Sequence, residues 1–474
     1  MILTGTLLVI LALLGAPLFA VIAASALIGF HRSGVDLSAV TIELYRLAEM
    51  PVLLAIPLFT FAGYLLSESR APARLVALAQ ALLGWMKGGL GIVALVACAL
   101  FTALTGASGV TIVALGALLY PALAQAGYGD RYSLGLITTS GSLGLLFAPS
   151  LPLILYAVIV QRLGVGQAAS VDEMFLAGIL PGLLMLMMLA VWNAWSNRAQ
   201  PLSTFSWSEA GAALRAARWE IPLPFVVLGG IYGGVFAVSE AAAVTALYVL
   251  VVEVVIHREV TLGDLPRIMR ESMVLVGGIL IILGASLAST NYLIDVEVPT
   301  RLFAAIKAHI SDRLTFLILL NIFLLVLGTM LDIFSALVLM VPLLLPIAVG
   351  YGIDPVHFGI IFLANMQIGY FTPPVGMNLF IASYRFNKPI LLLFRATLPF
   401  LAILLAAVLV HHLLAGPVAG PGRQVISGLL RGEPVTTVEL RMDLDCSTPA
   451  ARREGVDPRS RTAGPVAVRG MQYP

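Results

Sequence analysis

The sequence predicts an all-α polytopic membrane protein made of two structural repeats, each holding a re-entrant helical hairpin and a transmembrane helix broken near its middle. Three observations carry that prediction. Of 474 residues, 60% are hydrophobic and only 11% charged, with a mean hydropathy of +1.00, a composition that excludes a soluble core. Apolar segments of roughly 20 residues, the length that crosses the hydrocarbon of a bilayer, recur about a dozen times. Shifting the chain by 225 positions superimposes Leu118 on Leu343, Leu119 on Leu344, Pro121 on Pro346, Gly127 on Gly352, Gly144 on Gly369, Pro149 on Pro374 and Ala157 on Ala382. The matches favour Gly and Pro, which dictate backbone path. Backbone freed by a broken helix at membrane depth survives only inside protein or around a bound ion or substrate, so a repeated, Gly/Pro-interrupted span points to the binding site of a secondary transporter.

The first apolar segment, 2–30, has a break at Gly15-Ala16-Pro17 and is one kinked span or two short ones. It lacks a basic leader and its 29 residues exceed a signal-peptide core, so it stays in the membrane. Residues 51–66 form a span. Residues 70–85 set Leu75, Leu78, Leu82 and Leu83 against Arg70, Arg74 and Gln80, the pattern of an interfacial amphipathic helix. The stretches 89–104 and 110–123, about 15 residues each, are short for a crossing but suit the legs of a hairpin, 89–124, with its tip at Thr105-Gly106-Ala107-Ser108-Gly109. Its paired span, 132–160, is interrupted at Gly144-Leu145-Leu146-Phe147-Ala148-Pro149. An unbroken span, 175–195, ends in the interfacial pair Trp192 and Trp195.

A polar loop over 197–220 marks the midpoint and divides the first repeat, 1–196, from the second, 221–415. The second half repeats the plan. Residues 221–255 are broken around Gly229-Gly230 and Gly233-Gly234, 272–293 is a span, and 300–313 is again amphipathic. The hairpin 314–349 has its tip at Gly328-Thr329-Met330-Leu331-Asp332, and the span 358–384 is broken at Gly369-Tyr370-Phe371-Thr372-Pro373-Pro374. Residues 390–415 close the membrane part, and the Pro-, Gly- and Arg-rich tail 416–474 reads as disordered. Inverted repeats require an odd number of crossings between them. The broken segments 2–30 and 221–255 leave that count open, as the scattered Lys and Arg leave the orientation.

A net charge of +2 gives no sign of a nucleic-acid partner or an acidic substrate surface; the lipid bilayer is the partner the composition demands. Cys98 and Cys446 supply neither metal spacing nor a disulfide framework.

Several stretches in order resemble the large membrane subunit of TRAP transporters, the tripartite ATP-independent periplasmic transporters of bacteria and archaea. They are Gly88-Gly89-Leu90, Thr105-Gly106-Ala107-Ser108, Gly229 to Phe236 running into Ser239-Glu240-Ala241-Ala242-Ala243, Leu331-Asp332, His357-Phe358-Gly359-Ile360-Ile361 and Thr372 to Phe380. The resemblance spans residues 1 to about 415. It implies an elevator-type carrier in the cytoplasmic (inner) membrane that imports an organic acid, such as a C4-dicarboxylate, on a sodium gradient. It also implies a periplasmic substrate-binding protein and a small four-helix membrane subunit, expected as a separate chain because no such module precedes Met1.

In that family sodium binds where each hairpin tip meets the break of its paired span, and no other cofactor is expected. Carried over, the first site takes Thr105, Ala107 or Ser108 with Gly144, Phe147 and Pro149, and the second takes Gly328 with Gly369, Thr372 and Pro374. Neutral hydroxyl and carbonyl oxygens of a broken helix suit a sodium ion independently of the resemblance. The first tip has fewer serines than is usual in the family, and Ala148-Pro149 stands where two prolines are usual, which leaves more of that coordination to backbone. Ser142, Asp332, Asn365 and Asn378 are the candidate substrate ligands.

Bland roles compete with these. Glycines let membrane helices approach, Asp332 and Glu240 can cap the helices that follow, and Arg385 and Lys388 suit interfacial anchoring. A stand-alone sodium-coupled carboxylate carrier of the same superfamily shares the repeat. A remoter reading takes Gly106-Ala107-Ser108-Gly109 as a rhomboid-like protease motif with His411 or His412 as the base. It leaves the second broken unit without a purpose, and the chain is expected not to be an enzyme.

Overall fold

The computed structural model of the protein describes residues 6, 8, 10, 11, 14, 16–165, 169–197, 205–373 and 375–418, without the side chains at 39, 43, 44, 47, 48 and 412–418. All regular structure among them is helical. Proline-led entries and polar caps place the helix starts. After Pro17 come α1 (Leu18–Ser33) and α2 (Ser38–Ala48), then a 3-10 turn, Pro51–Leu54, leading into α3 (Ala55–Glu68). The amphipathic α4 (Ala71–Leu83) precedes the hairpin of α5 (Gly89–Thr105) and α6 (Ser108–Gln125). Its paired span is α7 (Asp130–Ser140), a 3-10 turn at Leu143–Leu146, and α8 (Leu151–Leu163). Ser170 and Glu173 form a reciprocal capping box at the start of α9 (Val171–Ser196).

The second half opens with α10 (Trp207–Ala216), α11 (Pro222–Tyr232) and α12 (Val238–Leu250), which ends in a π-turn at Val251–Ile256. It continues with the long α13 (Leu265–Asp295), the amphipathic α14 (Val298–His309), and the hairpin of α15 (Arg313–Met330) and α16 (Ile333–Gly350). The second broken span is α17 (Pro355–Gly369) and α18 (Met377–Phe386), and α19 (Ile390–Val418) closes it. Among the described residues eight helices are long and apolar enough to cross a membrane, and the pair Asp130–Leu146 and Leu151–Leu163, bent by 40°, makes a ninth.

Helix limits recur at the offset read in the sequence. Adding 225 to Ser108 and Gln125, the ends of α6, gives Ile333 and Gly350, the ends of α16. The same shift carries Asp130, the start of α7, to Pro355, the start of α17, and Thr105 to Met330. Packing crosses between the halves: α6 lies on α18, and α16 lies on α8.

Four local expectations change. Gly229 and Gly230 lie inside α11, and the break comes later, at Gly233–Ala237. The reason is steric: the Phe236 ring folds back onto Gly230, where a Cβ would lie 2.4 Å from it. The connection read as loop over 197–220 contains α10, begun by Ser206 accepting from the Glu209 N–H. Gly328 lies within α15, and the non-helical tip is Leu331-Asp332. The expected tail begins helically, since α19 runs to Val418; residues 419–474 lie outside the described set.

One ionic cluster ties α4 to the end of α12. Arg74 donates to Glu259 at 2.6 Å, to both carboxylate oxygens of Glu253 at 3.3 Å, and through its Nε to Glu220. The Glu253 side chain is wholly buried and Glu220 nearly so. The Arg70 amide also donates to Glu259, so segments nearly 190 residues apart are held in one place.

Candidate functional site

At the first tip α5 ends at Thr105, Gly106 turns the chain at a φ of +67°, and extended Ala107 leads into α6. Inside the hairpin Thr102 and Thr111 hydroxyls meet at 2.6 Å across the two legs, and Thr102 also donates to the Gly141 carbonyl beyond α7. The hairpin is thereby fastened to its own broken span. Contact is closest at Gly144, where an added methyl would lie 2.3 Å from the Ala99 carbonyl oxygen and 2.5 Å from the Ala103 nitrogen. Phe147 leaves the break with its ring against Gly182 of α9, and Pro149 is buried.

The second tip is built alike from different residues. A methyl on Gly369 would lie 2.6 Å from the Gly328 Cα, and Gly328 is Ala103 advanced by the same 225 positions. The Gly376 N–H donates to the Thr329 carbonyl at 2.9 Å. Asp332 accepts from the Ser335 N–H at 2.9 Å, so it caps α16. Thr372 donates to the Ile368 carbonyl at 2.8 Å, which leaves its oxygen lone pairs for another partner. Pro374, assigned to this site from the sequence, lies outside the described residues.

The two halves meet through polar side chains. Ser108, the first residue of α6, donates to Asn378 Oδ1 at 2.9 Å, and the Asn378 side-chain amide donates to the Thr138 carbonyl at 3.3 Å. The Asn378 N–H donates to the Tyr370 carbonyl, and the Tyr370 hydroxyl accepts from the Ile333 N–H at 2.6 Å. One chain of bonds thus runs from the first tip through the second break to the second tip. Ser142 donates to the Gln367 carbonyl at 3.1 Å and joins the first break to α17. Asn365 stands apart: it donates to Asn321 of α15 at 2.6 Å, one turn before the break, and braces that helix pair. Tyr370 was missed as a site residue although it stands inside the Gly369 to Pro374 motif; a hydroxyl there was the available signal.

The donor set is neutral. Thr105 and Thr139 are fully buried, and neither hydroxyl oxygen has a hydrogen-bond partner. Among the described residues no three His, Cys, Asp or Glu side chains are arranged around a metal ion. Hydroxyl and carbonyl oxygens stand at both breaks. Ser108 is engaged by Asn378 and not by a histidine, and the His411 ring lies 5.3 Å from that of His357 on α17. The His412 side chain is outside the described set. Glu240 accepts from the Ala237 N–H as a cap, Arg385 donates to the Val113 carbonyl, and Lys388 pairs with Asp130 at 3.1 Å.

Residues 4–416 match the family model of the tripartite ATP-independent periplasmic transporter, DctM component. The chain is 37% identical over 388 residues to the C4-dicarboxylate TRAP transporter large permease protein DctM of Rhodobacter capsulatus, covering 80% of this chain and 88% of that one. It is 34% identical to the isethionate TRAP transporter permease protein DctMQ of Oleidesulfovibrio alaskensis, covering 76% of this chain and 56% of that one. With the ectoine/5-hydroxyectoine large permease protein UehC of Ruegeria pomeroyi it shares 32% identity, over 84% of this chain and 92% of that one. The solved structure of the Alcanivorax borkumensis YdaH transporter shares the fold, with a TM-score of 0.59 at 14% identity over 81% of this chain and 88% of that one. These relatives are transporter permeases, not enzymes, and with the apolar helices they make this a multi-pass protein of the inner membrane. The chain belongs to the DctM component family, the large membrane subunit of TRAP transporters.

Proposed function

We propose that the protein is the permease of a sodium-coupled tripartite carrier that imports an organic acid delivered by a periplasmic binding protein, with a small four-helix subunit beside it. The observation that supports this reading most is the junction of the two halves: each hairpin rests against the break of its own span, and Ser108, Asn378 and Tyr370 join the tips to one another. A cation that orders either tip then orders the substrate site between them. Substrate binds the sodium-loaded state better than the empty one, a differential affinity that coupling requires. In this reading the repeats are inverted, and α5–α8 with α15–α18 move as one body against a scaffold of α1–α4 and α11–α14.

Thr105 brings a buried hydroxyl oxygen without a partner to the first site, and Thr372 brings one with free lone pairs to the second. Thr105→Val and Thr372→Val keep the shape and remove the oxygen. Each is expected to raise the sodium concentration for half-maximal uptake about tenfold, as the loss of one ligand worth about 1–3 kcal/mol implies. Unchanged sodium dependence in both variants would remove the two sites.

The relatives are named for C4-dicarboxylates, isethionate and ectoine, so membership leaves the substrate open. Uptake into proteoliposomes holding this chain and its small subunit, with the binding protein and a panel of organic acids, is expected to require both an inward sodium gradient and the binding protein. Uptake indifferent to the binding protein would make this a stand-alone carrier, and uptake driven only by protons would overturn the sodium coupling.

A further inference from the structure

Gly63 lies within α3, and a Cβ there would sit 2.6 Å from the Thr105 Cα and 2.9 Å from the Leu104 carbonyl oxygen. Both atoms are backbone, at the end of α5 beside the first tip, so neither can swing aside as a side-chain terminus can. The helix in the corresponding place of the second half is α13, since Gly63 advanced by 225 falls on Ala288. It meets its hairpin differently. Ser286 donates to the Val338 carbonyl at 2.7 Å, and Val338 belongs to α16, the second leg.

The difference extends along the helices. α3 packs along α5 and has no comparable packing with α6; α13 packs along α16 and has none comparable with α15. Under the 225-residue shift α5 corresponds to α15 and α6 to α16. Corresponding scaffold helices thus lie against opposite legs of corresponding hairpins. One plan is present in two conformations at once, and exchanging them between the halves generates a second arrangement, with α3 on α6 and α13 on α15.

We propose that Gly63 and Ser286 are positioning residues that set the balance between these two arrangements. The Gly63–Thr105 approach and the Ser286–Val338 bond are made in this one and broken in the other. This rests on the carrier mechanism proposed above, because two arrangements matter only if the hairpins move against α3 and α13. Gly63→Ala adds one atom against backbone and penalises the present arrangement alone. Ser286→Ala removes a bond from that same arrangement without adding an atom, so the two variants act in one direction by unlike means.

The test is the distance between nitroxides at Leu247→Cys on α12 and Tyr384→Cys on α18, both exposed, in a background with Cys98→Ala and Cys446→Ala. Pulsed electron resonance is recorded on the full chain in nanodiscs across a sodium titration. The parent is expected to show two distances, one matching this structure, and each variant to lose that population at least threefold. A packing role would lower the melting temperature and leave the ratio unmoved. Two distances in the parent with unchanged proportions in the variants overturn the inference and leave the carrier mechanism standing. A single distance at every sodium concentration overturns both. Should Gly63→Ala fail to fold, Ser286→Ala decides alone.

Discussion

Replacing Arg74 by methionine is expected to cost about 3–5 kcal/mol of stability, the effect of stranding buried charge by removing its partner. Arg74 is the cation shared by Glu220, Glu253 and Glu259, and the first two side chains have almost no access to water. Methionine fills the same space, so the loss reads the charge rather than a cavity. Lysine keeps the charge but not the fork that meets three carboxylates, and Arg74→Lys should fall between. The measurement is the melting temperature of purified protein in detergent.

The pH dependence has a definite sign. Burial pushes the Glu259 carboxyl up, but Arg74 and the Arg70 amide overcome it and hold the group below its ordinary range. A carboxyl held low contributes stability that is present at neutral pH and lost as the pH falls through its folded value. Arg74→Met has already lost that contribution. The gap between variant and parent should therefore hold from about pH 7 to about pH 5 and narrow below about pH 4.5, the ordinary glutamate value. A gap that widens on acidification contradicts the assignment.

The second large effect belongs to the two breaks. Gly144→Ala and Gly369→Ala are each expected to lower uptake on the order of a hundredfold, the scale of a 1 Å displacement at a reacting site. The added methyl meets backbone in both cases, at 2.3 Å from the Ala99 oxygen and 2.6 Å from the Gly328 Cα. Hairpin and break must separate, and the oxygens around a cation separate with them. Gly211, inside α10, has nothing within 4 Å of its missing Cβ, so Gly211→Ala should leave uptake unchanged and raise stability by about 0.5–1 kcal/mol. Uptake in proteoliposomes and the sodium-induced rise in melting temperature, measured together, separate a lost site from a lost fold.

These glycines show what could be read from the sequence. Gly144 and Gly369 declared themselves by recurring 225 positions apart within apolar spans, because backbone path leaves a local mark. The hairpins and broken spans were legible for the same reason. Gly230 misled, since whether a glycine breaks a helix depends on what folds back onto it, here the Phe236 ring. Arg74 read as one charge on an amphipathic face, because its three carboxylates lie 146, 179 and 185 positions away. The bond from Ser108 to Asn378 spans 270 positions and has no local pattern to announce it. Sequence periodicity fixes what a helix turns toward its surroundings, not which distant segment stands there.

Ser142 and Gln367 differ by 225 positions and touch one another, both fully buried. Such a pair marks a place where one half of the chain meets the other. A residue that does not touch its counterpart can change size by itself. At this point the Ser142 hydroxyl reaches the backbone carbonyl of its counterpart, so the room for the one side chain is set by the path of the other. The contact therefore gives the two halves a physical reason to differ in sequence here.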